Sequence, residues 1–179
     1  MTHFYAFELR FTAPPGGDVI DALYEAGWDD AVISLDPCTG GQGQAMFDRE
    51  APSAVKAVVS AIRQGRLAGI ELTGVSEDLV TFGEIAERTD RTFATADHWA
   101  TGRRGPGGFP APKVARPRVS LYSWAEVVMW LASHGLARMS SADVEIARVC
   151  EAADAMIRVQ RLQSRLPAED REALTDAVA

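Results

Sequence analysis

The sequence predicts an α+β chain built in three parts. Three observations predict it. Period-two alternation and helical stripes follow one another as β-α-β-β-α-β through the first 78 residues. Two short apolar-striped helices meet at a polar corner after residue 79, and a Gly/Pro/Arg-rich loop comes next. One long helical stretch then begins at Ser141.

Residues 3–11 alternate: His3, Tyr5, Phe7, Leu9 and Phe11 point one way, Phe4, Ala6, Glu8 and Arg10 the other, as in a strand. Pro14-Pro15-Gly16-Gly17 breaks it. Asp18 can cap a helix whose apolar face is Val19, Ile20, Leu23 and Tyr24, and which ends at Gly27. Ala31 to Leu35 is a second strand, residues 36–43 are a loop, and Gln44 to Arg49 is a third strand. Ser53 to Gly65 is a helix with Val55, Val58, Val59 and Ile62 inside, and Ile70 to Val75 is the last strand. That order is a ferredoxin-like plait. The fold names no function, so this module is open between oligomerisation or partner binding and small-molecule sensing.

In the next segment, Thr81 can cap a first helix, and Glu84 three residues on completes a capping box. Phe82, Ile85 and Ala86 share a face. Thr89-Asp90-Arg91 is the corner, where Asp tolerates positive φ better than most residues. Thr92 can cap a second helix, with Phe93, Ala96, Trp99 and Ala100 buried. Arg91, Thr92, Thr95 and His98, with Asp97 beside them, are then exposed to base edges and phosphates. Gly102-Arg103-Arg104-Gly105-Pro106-Gly107-Gly108 sets two guanidinium groups on a sharply bending backbone, suited to phosphate or the minor groove. Phe109-Pro110-Ala111-Pro112 would anchor this wing to the core, and Val119 to Tyr122 would be its returning strand. A helix from Ser123 or Trp124 to about His134-Gly135 would face Trp124, Val127, Val128 and Leu131 inward. These parts in this order form a winged helix-turn-helix.

Val80 to Arg88, Gly102 to Pro112 and Trp124 to Leu131 resemble the excisionase-like, MerR-type winged helix-turn-helix domains of actinobacterial proteins. That resemblance, over about a third of the chain, implies double-stranded DNA as partner, with Arg91, Thr92, Thr95, His98, Arg103 and Arg104 as the contacts. Two departures stand out. Asp90 occupies a corner where relatives usually carry Gly, and Thr92-Phe93-Ala94-Thr95-Ala96-Asp97-His98 replaces a Ser/Arg-rich second helix.

From Ser141 a long helix is expected to about Leu166. Its broad apolar face comprises Val144, Ala147, Val149, Cys150, Ala153, Met156, Ile157, Val159 and Leu162, and a short helix over Ala168 to Val178 should follow. The long helix either docks back or dimerises, and MerR-type proteins often dimerise through a C-terminal helix. The expected divisions are 1–78, 79–135 and 136–179.

Composition limits the function. The net charge is −7, but residues 1–78 hold 5 basic and 12 acidic groups, residues 79–139 hold 8 and 5, and residues 140–179 hold 5 and 8. The basic excess sits on the helix-turn-helix segment, as an electrostatic footprint on DNA requires. No apolar run approaches the roughly 20 residues of a membrane span. The N-terminus lacks the pattern of a secretion signal. Cys38 and Cys150 have no Cys or His at ligand spacing, so the expectation is a cytoplasmic protein with no disulfide, metal or cofactor. Nothing pairs a nucleophile with a base, so no enzyme is expected. The reading is a homodimeric transcriptional regulator, with a possible protein partner on the N-terminal module. The alternative is a protein-interaction adaptor on a scaffold that has lost DNA binding. A continuous basic stripe over Arg91, Arg103, Arg104, Lys113, Arg116 and Arg118 would favour the first, and a stripe broken by Asp97 the second. A metabolite sensor is the third option.

Overall fold

The computed structural model describes residues 2–15, 18–75, 78–137 and 139–178. Part of the expected break at Pro14-Pro15-Gly16-Gly17 therefore lies outside the described residues. The chain is α+β. It begins β1 (His3–Thr12), α1 (Val19–Glu25), β2 (Ala31–Asp36), β3 (Gln42–Ala51), α2 (Ala54–Leu67) and β4 (Glu71–Val75). The four strands form one sheet in the order β2-β3-β1-β4. β1 and β4 run antiparallel with Leu9 opposite Val75 and an irregularity between Arg10 and Phe11; β2 and β3 run antiparallel from Ala31 opposite Phe47 to Asp36 opposite Gln42. Alternation in β1 buries Tyr5, Phe7, Leu9 and Phe11 as the period requires.

Two compact units divide the chain. One draws on Met1–Ala6, Arg49–Val58 and Glu77–Glu151, the other on Phe7–Asp48, Val59–Ser76 and Ala152–Ala179. In the second unit Trp28 is fully buried: its indole N–H donates to the Ala61 carbonyl at 3.0 Å, and its ring meets Phe11 and Phe47 edge-on. Gly65 makes room for it, since a Cβ there would lie 2.7 Å from the Trp28 ring. Helix α2 corrects the expected face. Val58 is buried, but with Ala54, Ala57 and Ala61, and Val55 is exposed. Small side chains serve a closely packed helix face better than the larger valines that hydropathy ranks above them.

The next elements are β5 (Leu79–Val80), α3 (Phe82–Arg88), α4 (Phe93–Ala100), β6 (Val114–Arg116), β7 (Val119–Ser123) and α5 (Trp124–His134). The strands make a second sheet, β5-β7-β6, in which Val114 faces Leu121 and Leu79 faces Ser123. The hairpin is therefore β6-β7, turning at Pro117-Arg118; the stretch Gly102 to Pro112, expected to be the wing, is irregular. Gly102, Gly105, Gly107 and Gly108 all have positive φ, outside the range of a regular strand.

Two helices close the chain, α6 (Ser141–Gln163) and α7 (Ala168–Val178). Of the apolar face expected on α6, Ile157 is buried, whereas Met156, Val159 and Leu162 are exposed. Asp154 is buried instead. Its Oδ1 accepts the Val75 N–H at 3.0 Å and the Arg10 guanidinium at 3.2 Å, and a Cβ on Gly74 would come within 2.5 Å of it. Among the described residues, no helix is long and apolar enough to cross a membrane.

Candidate nucleic-acid interface

The candidate residues stand on α3, α4 and the loop after them. Thr81 starts α3 with a full capping box. Its hydroxyl accepts the Glu84 N–H at 3.3 Å, and the Glu84 carboxylate accepts the Thr81 N–H at 2.7 Å. These bonds to Thr81 hold the Glu84 carboxyl below its ordinary pKa range.

The corner is a Schellman motif. Arg91 N–H donates to the Ala86 carbonyl at 2.8 Å and Asp90 N–H to Glu87 at 3.2 Å, with Asp90 at φ +52°. Asp90 is the only non-glycine with positive φ among the described residues. The corner redirects the chain, and Thr92 caps α4 by accepting the Thr95 N–H at 3.3 Å. Behind both helices lies one core of Val80, Ile85, Ala86, Ala96, Trp99, Tyr122, Val127, Trp130 and Leu131.

Phe109 does anchor the loop: its ring meets Tyr122 at 5.5 Å and Trp130 at 5.0 Å. Trp130 adds an indole bond to the Gly107 carbonyl at 2.9 Å. The first turn of α4 departs from the expected pattern, because Phe93 is 60% exposed and only Ala96 and Trp99 of the expected face are buried.

Arg91, Thr92, Arg103 and Arg104 are exposed, and Thr95 and His98 are half-buried. Arg91 spends one donor on the Leu136 carbonyl at 3.3 Å, the Thr95 hydroxyl meets that of Thr92 at 2.9 Å, and Arg104 is tethered by its N–H to the His98 carbonyl at 3.3 Å. Asp97 stands 3.6 Å from Arg103.

Lys113 is paired twice, with Glu126 at 2.7 Å and Glu151 at 3.4 Å. The hydrogen bond to Glu126 leads in raising its pKa. Arg116 and Arg118 stand exposed at the hairpin turn. Of the six basic positions, Arg103 and Lys113 are therefore ion-paired with carboxylates. The pairing that would have marked β6, Val114 opposite Leu121, is too short to read from period alone. Among the described residues, no group of three or more His, Cys, Asp or Glu could hold a metal ion. No known protein family, curated protein or solved structure matches the chain.

Proposed function

We propose that the chain is a DNA-binding transcriptional regulator whose residues 79–135 form a winged helix-turn-helix of excisionase/MerR type. One observation carries the reading: α3 and α4 meet at a left-handed Asp90 corner over a shared core, and a hairpin whose turn carries exposed arginines follows them. In this reading α4 enters the major groove by its N-terminal turn, with Thr92, Thr95 and His98 toward the bases. Arg91, Arg103 and Arg104 grip phosphates, and Arg116 and Arg118 reach the flanking backbone as the wing. The sheet order β2-β3-β1-β4 with two intervening helices supports a ferredoxin-like plait as the accompanying module. Exposed Met156, Val159 and Leu162 on α6 support a homodimer, which would present two second helices about one turn of DNA apart.

A second reading rests on a specific observation. Asp97 pairs with Arg103 on the face meant for phosphates, as an adaptor that no longer binds DNA would allow. Fluorescence anisotropy on random duplex and on the protein's own upstream region separates the two, at about 50 and 200 mM salt. Binding that weakens steeply with salt and is tighter upstream supports the regulator. No binding at low salt moves the assignment to the adaptor.

A further inference from the structure

Phe93 is out of place for a structural residue. Its spacing sets it with Ala96 and Ala100 on the core stripe of α4, yet the residue is 60% exposed. Among the described residues its one aromatic neighbour is Phe82, met edge-on at 6.1 Å. Its chain neighbours Arg91, Thr92 and Ala94 are exposed as well, so the first turn of α4 presents an aromatic ring and a methyl group between polar groups. One helical turn on, at i+4, comes Asp97 with its partner Arg103. An apolar tip among exposed polar residues is poorly matched to water. It matches a surface that offers small apolar groups between phosphates. The major groove does so at one base, thymine, whose 5-methyl projects from the floor and is contacted by Phe and Ala side chains.

We propose that Phe93 is a specificity-determining residue that reads a thymine methyl group, so that the preferred site carries thymine beneath the first turn of α4. This rests on the DNA-binding reading above and adds the base read and the residue reading it. Ring and methyl bury apolar area against each other, and losing one methyl should weaken binding roughly fourfold, the equivalent of about 0.8 kcal/mol.

The test uses the full chain. Its preferred duplex is selected from a random pool, and each thymine is then replaced singly by deoxyuridine, which removes the methyl and keeps every hydrogen-bonding group. Affinity is read by anisotropy for the wild type, Phe93→Ser and Phe93→Leu. The expected result is one position where deoxyuridine weakens the wild type about fourfold, leaves Phe93→Ser unchanged, and still weakens Phe93→Leu. A selected site without thymine, no sensitivity to deoxyuridine at any position, or equal sensitivity in Phe93→Ser would overturn the inference and leave DNA binding standing. No binding to any duplex at low salt would overturn both.

Discussion

The Asp97 carboxylate and the Arg103 guanidinium stand 3.6 Å apart, one on α4 and one on the loop that follows it. The arginine is mostly exposed, so the pair contributes little to stability, within about 1 kcal/mol. On the proposed DNA-binding reading its consequence lies in binding. A phosphate must take Arg103 from Asp97 and approach a second negative charge. Asp97→Asn should therefore tighten binding to every duplex several-fold at low salt, and steepen the salt dependence by up to about 0.9 in log-log slope if Arg103 gains one phosphate. Salt titrations by anisotropy read both quantities. Weaker binding in the variant, confined to one sequence, would instead make Asp97 a base contact, as a carboxylate accepting from cytosine N4 would be.

Arg103→Ala with Arg104→Ala makes the complementary prediction. Both guanidiniums are exposed, and Arg104 is tethered through its backbone, so truncating the side chains should leave the fold intact. Affinity should fall on all sequences alike, and the salt slope should shrink by up to about 1.8 for two lost phosphate contacts. Thr95→Ala should instead relax sequence preference with little change in slope. Unchanged binding in both variants would remove the DNA-binding assignment.

Helices α3 and α4 and the corner between them were legible because their signals are local. Thr81 with Glu84 is a capping box on three-residue spacing, and Asp90 is one of the few side chains tolerated at positive φ. What period alone cannot see depends on distance in space. Trp28 follows a turn, so no stripe marks it, yet it is buried between Phe11 and Phe47. Phe93 obeys the stripe and is exposed, its ring meeting Phe82 edge-on at the margin of the core. Asp154 reads as solvent-facing until Val75 and Arg10 are found beside it. The glycines of 102–108 read as a hairpin because turn residues are conspicuous; the shorter Pro117-Arg118 turn between β6 and β7 is not.

Asp90 invites a stability test. The helices before Gly27, Gly69 and Gly135 end in the same pair of backbone bonds as α3, and each has glycine where α3 has Asp90. Glycine removes the Cβ strain of the left-handed conformation and adds freedom to the unfolded chain, so the two effects partly cancel. Asp90→Gly should stabilise by up to about 1 kcal/mol, and Asp90→Val should destabilise by about 1–2 kcal/mol. Urea midpoints compared at fixed m would read this. A valine variant as stable as the wild type would mean that the corner is not held at positive φ.

Asp154 and Gly74 should be coupled. Asp154→Ala leaves the buried Val75 N–H without an acceptor and Arg10 without its carboxylate, for a loss of about 2–4 kcal/mol. Gly74→Ala pushes a Cβ to within 2.5 Å of the Asp154 oxygen, so it should also destabilise. The double variant has no carboxylate to clash with, and the two losses should sum to more than the double variant shows. Strict additivity in a denaturant cycle would mean that Asp154 does not sit over Gly74 in solution.

The two cysteines should react at very different rates. Cys38 is exposed on the 3-10 turn Pro37–Thr39, whereas Cys150 is only partly accessible, and burial, aided by the Asp78 carboxylate, pushes its thiol up to about 12. Only the thiolate attacks, so at about pH 8 roughly one Cys150 in ten thousand is reactive at any moment. A chromogenic disulfide should therefore release one equivalent quickly and a second slowly, with both fast in urea. Linkage fixes the sign of the pH effect. The thiol form is favoured in the folded chain, so its contribution is intact below the ordinary value of 9.0 and is lost as pH climbs from there toward 12. Cys150→Ala should reduce that alkaline loss, and Cys38→Ala should abolish the fast phase without affecting it. Two equal phases in the native protein would mean that Cys150 is open to solvent.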